Sequence, residues 1–419
     1  MKVTVSRGFL LVFLAWVFAC LLGALPYFLS GYIPNFTDAV FESVSGFTTT
    51  GASVLKDIEI LPKPLIFWRA MTHWLGGMGI VVLTVALFPL LGAGGFQLLK
   101  AEAPGPDVDK IVPRITGTAQ ILWLLYIGLT AIQTLLLMLF GMDWFDAAVH
   151  AFSTMATGGF SSRNNSIAYY QSPAIEWVCA IFMLLAGFNF VLIIRLLRGK
   201  FNEVRRNSEA KAYGAIILVS TAIITVSILP QSASVEEALR MAVFNTGSIL
   251  TTTGLFNTDY NIWPPAAQGV LFFAMFIGGC TGSTAGGIKV IRHVILWKQT
   301  GNEIRKIIYP RGVFSIQLNK TSGKKDVLYG TAGFVFLYFL VLFACAFLVS
   351  SAGEDIFTSV NTSLLVLGNI GLAFGNTGPF SSFPEYPAYV KWGLSFAMLL
   401  GRLELWTVLA LFTGILWRK

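Results

Sequence analysis

The stretch Phe47–Ser53, FTTTGAS, is a threonine-rich turn closed by one glycine, between an amphipathic segment and a strongly apolar one. Variants recur at Met155–Ser161 (MATGGFS), Thr251–Asn257 (TTTGLFN) and Asn369–Phe374 (NIGLAF). Aligned on Gly51, Gly158, Gly254 and Gly371, they lie 107, 96 and 117 residues apart. A period of roughly one hundred residues, met four times, marks an internal repeat. The chain reads as four copies of one membrane unit whose Thr/Gly turns meet on a common axis.

Composition supports a membrane setting. Of 419 residues, 55% are hydrophobic and 12% charged, with mean hydropathy +0.71. Soluble domains carry about 25% charged residues, so most of this chain must face lipid or its own interior. A spanning helix needs about 20 apolar residues. Eight candidates fit, near 8–30, 65–92, 115–140, 174–197, 212–230, 266–297, 327–350 and 388–417. The first apolar run is too long for a signal peptide. Cys20, Cys179, Cys280 and Cys345 stand singly in apolar sequence and read as small buried hydrophobes.

The net charge of +8 is crowded into two stretches. Arg195, Arg198, Lys200, Arg205, Arg206 and Lys211 fill the first, and nine basic residues between Lys289 and Lys325 fill or flank the second. Around Gly158, Gly254 and Gly371 the basic residues are Arg163 and Arg240. That asymmetry is the positive-inside pattern, with basic loops cytoplasmic and Thr/Gly turns outside, and it argues against nucleic acid as the partner.

The expected layout of each unit is helix, re-entrant half-helix, turn, helix: residues 1–100, 101–205, 206–305 and 306–419. The fold class is therefore an all-α membrane protein of eight spanning helices and four half-helices. Asp38, Asp146, Glu236 with Glu237, and Glu354 with Asp355 open the half-helices. Capping the positive end of a helix dipole suffices to explain them, and together they would raise cation concentration at a pore mouth. The link at 92–114 is Gly/Pro-rich and reads as a cytoplasmic loop. Trp144, Trp177, Trp263 and Trp392 fall at span ends, as an interface belt would.

Non-helical backbone at membrane depth survives only where it is buried or lines a watery cavity. A dehydrated cation needs oxygen ligands, which backbone carbonyls supply. Aiming successive carbonyls at one axis requires conformations that glycine adopts freely. The candidate filter residues are Thr49, Thr50 and Gly51; Thr157 and Gly158; Thr252, Thr253 and Gly254; and Asn369, Ile370 and Gly371. Each turn shares one glycine with the others, which predicts real but modest selectivity for K+ over Na+.

These stretches, FESVSGFTTTGAS, FSTMATGGFS, TTTGLFN and GNIGL, together with GGCTGSTAGGIKV, resemble the TrkH/KtrB potassium-uptake family over nearly the whole chain. The resemblance implies four M1–P–M2 repeats around one pseudo-fourfold pore, with K+ held at the filter. It also implies a homodimer seated on a cytoplasmic ring of RCK-type regulatory subunits in a prokaryotic inner membrane. Longer members carry two further N-terminal helices, and this chain begins at the first repeat, which leaves a Trk-like or Ktr-like assignment open.

The sixth span contains Gly278–Gly287, GGCTGSTAGG. Each glycine costs a helix about 1 kcal/mol against alanine, so the segment is not a stable helix. It is either a close-packing patch of small residues or a loop below the filter that opens and closes the path. The resemblance matches it to an intramembrane gating loop, with Gly278, Gly279, Thr281, Gly282, Ser283, Thr284, Gly286 and Gly287 as its candidates. Arg402 lies in GRLELW inside the last span, where an unpartnered arginine is costly. It either snorkels to the inner headgroups or sits in the pore, bonded to carbonyls of the glycine loop, and the resemblance favours the pore. Glu404 is two positions on and faces another side of the helix.

Lys289 and Arg292 read as interface anchors. Arg69, His73 and Gly76–Gly79 read as a packing constellation, and His73, His150 and His293 as core or interface histidines. No nucleophile–base pair, HExxH, CxxC or phosphate loop is present, which argues against an enzyme and against a cofactor on this chain. A nucleotide (ATP, ADP or NAD) is expected only on the partner, docked on the basic loops at 195–211 and 289–325, although anionic lipid or plain solvation would use those loops as well. A K+ symporter coupled to H+ or Na+ is the competing reading. It needs a buried carboxylate, for which Glu404 is the candidate.

Overall fold

The computed structural model describes residues 5–90, 115–319, 321–322, 325–380 and 385–413. The 92–114 link and residues 414–417 of the last expected span lie outside them. Four times a long apolar helix is followed by a shorter one. The long helices are α1 (Val5–Leu29), α4 (Ile115–Leu139), α9 (Ser208–Ile228) and α13 (Lys325–Ser350). The short ones are α2 (Phe36–Phe47), α5 (Trp144–Met155), α10 (Val235–Leu250) and α14 (Ile356–Gly368), and each packs on the long helix before it. After each short helix come a turn and a further helical stretch: α3 (Lys63–Leu90), α6 (Pro173–Ala186) with α7 (Phe190–Leu197), α11 (Pro265–Ala274), and α15 (Ala388–Arg402) with α16 (Leu405–Leu411). Between α7 and α9 lies α8 (Phe201–Arg206), and α12 (Val290–Ile308) follows the glycine segment. A two-stranded antiparallel pair, β1 (Gln317–Leu318) and β2 (Thr321–Ser322), lies between α12 and α13, and short 3-10 turns at Ser166–Tyr170, Leu229–Gln231, Tyr260–Ile262 and Gly375–Thr377 join other elements. The chain closes on itself, since α15 packs on α2 and α16 on α1.

The burial pattern is the reverse of a soluble protein's. Leu11, Phe18 and Leu22 of α1, Leu124 and Leu135 of α4, and Phe336 and Phe347 of α13 are exposed. Glu42, Thr49, Thr50, Asn245, Thr252 and Asn369 are fully buried. Large exposed apolar patches mark an interaction surface, here lipid. Polar groups are buried only when something at the centre requires them. All four cysteines are free and buried. The described residues thus form a multi-pass membrane protein.

Eight uninterrupted spans are not what the chain forms. Among the described residues, four straight helices are long and apolar enough to cross a membrane: Gly8–Leu29, Ala119–Leu139, Ser208–Gln231 and Val327–Ser350. The fourth expected span bends by 104° between α6 and α7, and the eighth by 120° between α15 and α16. The first bend follows Gly187, and Asn189 starts α7 by accepting from the Leu192 amide at 3.1 Å. The second passes through Glu404, a non-glycine residue at φ 67°. The sixth expected span ends as a helix at Ala274 and resumes only at Val290.

The acids near the half-helix starts are mostly not caps. Asn35, Asp143, Ser234 and Asp355 accept the first-turn amides. Of the expected capping acids, Asp355 has that role, and Glu237 reaches back to the Ala233 amide at 2.7 Å beside the Ser234 cap. Asp38 instead pairs with Lys391 at 2.5 Å, Asp146 with Arg163 at 3.0 Å, and Glu236 with Arg240 at 3.1 Å. Neutralised in this way, those three carboxylates add little field at a pore mouth. Trp263 is buried rather than at an interface.

Candidate ion-coordination site and gate

Each short helix ends in the same turn. Thr49, Thr157, Thr252 and Asn369 take left-handed conformations, with φ of 53°, 55°, 55° and 52°. Each donates its amide three residues back, to Gly46, Thr154, Ile249 and Val366, at 3.0–3.3 Å. The residue after it reaches five back: Thr50 to Ser45, Gly158 to Ser153, Thr253 to Ser248 and Ile370 to Leu365, at 2.8–2.9 Å. This paired closure of helix-end carbonyls usually places glycine or asparagine at the left-handed position. A β-branched residue there is an outlier and costs about 1–3 kcal/mol unless the surroundings enforce it. Three threonines are held in that state at corresponding positions, so the surrounding structure enforces the same turn each time. Hydroxyl pairs brace two of them, Thr48 with Thr50 at 2.8 Å and Thr251 with Thr253 at 2.7 Å.

The glycines that follow carry positive φ: Gly51, Gly159, Gly254 and Gly371. In the second turn the matching glycine is therefore Gly159, not Gly158, and the alignment shifts by one. Gly158 corresponds to Thr50, Thr253 and Ile370. Its lack of a side chain has another cause, because a Cβ there would run into the His73 ring.

The four turns close on one another. A Cβ built on Gly51 would come within 3.0 Å of the carbonyl oxygen of Gly158, one on Gly159 of Thr253, one on Gly254 of Ile370, and one on Gly371 of Thr50. Each turn abuts the next, and the fourth returns to the first. The carbonyls of Thr50, Gly158, Thr253 and Ile370 are thereby brought into one ring. Asn369 adds a bond across the closure, donating to the Thr50 hydroxyl at 2.8 Å and the Met398 carbonyl at 3.1 Å.

Behind this ring lies a buried polar support that the sequence did not disclose. Glu42 of α2 is fully buried and pairs with Arg69 of α3 at 2.8 Å. It also accepts from the Ser53 hydroxyl at 3.0 Å and the Val54 amide at 3.1 Å, fixing the strand just beyond Gly51. The Arg69 guanidinium lies 3.9 Å from the Phe160 ring centroid, and His73 stacks on Phe160 and bonds Ser153 at 3.1 Å. In the third turn Asn257 donates to Glu176 at 2.6 Å, and Glu176 pairs with Arg240 at 2.9 Å. Removing one partner of a buried pair typically costs about 3–5 kcal/mol. Arg69→Ala is expected to lower the thermal unfolding midpoint in detergent sharply. Replacing Glu42 and Arg69 together by Gln and Met should recover part of that loss.

The glycine segment runs directly against the turns. The Gly286 amide donates to the Thr252 hydroxyl at 2.7 Å, and a Cβ on Gly286 would strike the Gly368 carbonyl. Cys280 donates to Gly187 at the first helix bend at 2.9 Å, Asn189 donates to the Thr281 carbonyl at 2.5 Å, and the Thr284 hydroxyl donates to Met155 at 3.0 Å. Gly282 and Gly287 have positive φ, while Gly278 and Gly279 lie against Gly286 and Ala285 with no room for a side chain. Ser283 closes on the Cys280 carbonyl at 2.6 Å.

Arg402, at the second bend, is buried and donates to the Thr284 carbonyl at 2.6 Å and to Gly76 at 3.2 Å. Glu404 binds Arg292 at 2.8 Å. Lys289 donates to the Ala285 carbonyl of the loop, and Arg292 is buried 3.6 Å from the Phe334 ring centroid. Among the described residues the buried carboxylates are Glu42, Asp146 and Glu176, each paired with an arginine, and Glu209, which holds Thr281. Of these only Asp146 stood out in the sequence. Among the described residues no group of three His, Cys, Asp or Glu side chains could hold a metal ion.

Four polar turns packed against one another inside a lipid-facing helical body are the arrangement of a membrane protein that transports ions. The family model for TrkH, described as cation transport protein, matches residues 1–419, and the chain belongs to that family. It is 42% identical over 417 residues to the Trk system potassium uptake protein TrkH of Halomonas elongata, covering 98% of this chain and 86% of that one. It is 40% identical over 419 residues to the protein of that name in Escherichia coli K12, covering 99% and 86%. The crystal structure of the potassium transporter TrkH from Vibrio parahaemolyticus superposes with a TM-score of 0.89 at 35% identity, over 100% of this chain and 87% of that one.

Proposed function

We propose that this chain is the pore-forming membrane subunit of a potassium-uptake system. The four helix–half-helix–turn–helix units act as M1–P–M2 repeats around one pathway. The observation that carries this reading is the cyclic contact of the four turns, Gly51 to Gly158, Gly159 to Thr253, Gly254 to Ile370 and Gly371 to Thr50. Main-chain oxygens of Thr49, Thr50, Thr157, Gly158, Thr252, Thr253, Asn369 and Ile370 replace the water shell of K+. The half-helices aim their partly negative C-terminal ends at the same place. With few ordered oxygen rings, discrimination against Na+ is modest. The loop at 278–287 and Arg402 form the gate.

K+ is the cargo, and no cofactor is held on this chain. The family relationship supports a homodimer in a prokaryotic inner membrane, docked through its basic cytoplasmic loops on a nucleotide-binding RCK-type ring. Reversal potentials in proteoliposomes under K+, Na+ and pH gradients test the reading. A channel follows the K+ gradient and ignores pH. A potential that moves with pH or Na+ coupling would replace it by a symporter, and absence of K+ flux would end it.

A further inference from the structure

We infer that Glu209 is the clasp that holds the glycine loop in its closed position, and that the hairpin at Gln317–Ser322 is the handle that works it. This rests on the loop being the gate proposed above. Glu209 is the second residue of α9 and is almost completely buried. Its two carboxylate oxygens each take one bond from Thr281, at 2.7 Å from the amide and 2.6 Å from the hydroxyl. The ties from Cys280 to Gly187, Asn189 to Thr281, and Gly286 to Thr252 are neutral. The charged ties are Arg402 to the Thr284 carbonyl, Lys289 to the Ala285 carbonyl and Glu209 to Thr281, and bonds to an ionised group are roughly twice as strong as neutral ones. Glu209 is the anionic one of the three, and it comes from α9, not from the filter or from the last span.

The same helix end is fastened to the hairpin. The Ser208 amide donates to the Asn319 side chain at 2.8 Å, and the Asn319 amide donates back to the Ser208 hydroxyl at 3.4 Å. Asn319 stands at the hairpin tip with φ 49°, and Lys298 of α12 donates to Gln317 at 2.6 Å. Ser208 and Glu209 are adjacent, so a displacement of the hairpin pulls on the backbone beside Glu209. The hairpin belongs to the segment between α12 and α13, which includes Arg311 and follows Arg305 and Lys306 in the last turn of α12. A regulatory partner that shifts this segment thus has a short mechanical route to Thr281. Glu209 is a positioning residue and touches no ion.

Rubidium-tracer flux through the purified full chain in liposomes tests the clasp. Thr281→Val should raise basal flux about tenfold, the effect of taking one charge-assisted hydrogen bond from the closed state, and Glu209→Ala, which removes both bonds, at least as much. Their double variant should not exceed Glu209→Ala, Thr281→Ser should match the parent, and the K+/Na+ ratio should not change. Asn319→Ala, which leaves both clasp residues intact, should raise flux in the same direction. Deleting Gly282–Gly286 should open the path outright. If the deletion raises flux while Glu209→Ala and Thr281→Val do not, the clasp is wrong and the gate stands. If the deletion does not raise flux either, the gate reading fails and the clasp with it. Additive effects of the two single changes, or an unaltered Asn319→Ala, would overturn the coupling.

Discussion

Gly254→Ser and Gly371→Ser are each expected to cut K+ uptake at least about tenfold and to lower the K+/Na+ flux ratio, in protein that elutes like the parent on gel filtration. Two costs act at these positions. Both residues lie at positive φ, 76° and 88°, where a side chain costs about 1–2 kcal/mol. A Cβ would also press on the carbonyl oxygens of Ile370 and Thr50 within 3.0 Å. Those oxygens are backbone and cannot swing aside, so the ring itself must deform. A deformation worth about 1.4 kcal/mol of ion binding is a factor of ten.

The corrected alignment gives this prediction a sharper form. Gly159→Ser should fall with the other two, because a Cβ there meets the Thr253 carbonyl. Gly158→Ala fails for a different reason, collision with His73, so His73→Ala in the same chain should restore part of its transport. Unchanged flux ratios for the Gly159, Gly254 and Gly371 variants would dismiss the ring as the selective element. Failure of the His73 change to rescue Gly158→Ala would return Gly158 to the common glycine position.

Much of this was legible because its signals are local. Apolar runs, Thr/Gly turns at a common period and five glycines in ten residues each reveal themselves within a short window. The second turn was misaligned because TGG offers two glycines, and the conformation that marks the register falls on threonine, which no glycine rule flags. The spans at 174–197 and 388–417 read as continuous because hydropathy does not register a bend. A bend needs few residues, here Gly187 to Asn189 and Leu403 to Glu404, and their neighbours remain apolar. The acids were assigned to caps because local spacing favours it. Asp38 finds its partner, Lys391, on another helix, as does Glu42, which no local pattern marked, with Arg69. Glu209 was passed over for the same reason, since Thr281 lies 72 residues away.

Arg402→Ala is expected to produce the largest gain of flux of any single substitution, and Arg402→Lys a smaller one. Arg402 is the point at which three interruptions meet. It ends α15 at the 120° bend, donates to the loop at Thr284, and donates to Gly76 of α3. Thr284 in turn binds Met155 and Ala186, the ends of α5 and α6. One guanidinium thus ties the loop to the first and last quarters of the chain, which neighbouring bonds such as Gly286 to Thr252 do not do. Its fixed fork can satisfy two carbonyls at once, whereas an ammonium acts as a compact point charge, so lysine keeps the barrier but loses the brace. The charge has a second effect. Beneath a ring built for cations, a buried positive group opposes their passage electrostatically. Alanine removes brace and barrier together, and lysine removes only the first. Tracer flux and single-channel conductance separate the two contributions. If Arg402 acts only as a brace, lysine and alanine will give the same flux. If it acts only as a barrier, lysine will behave as the parent does. A silent Arg402→Ala would show that the loop stays shut without it, leaving closure to Glu209 and Thr252.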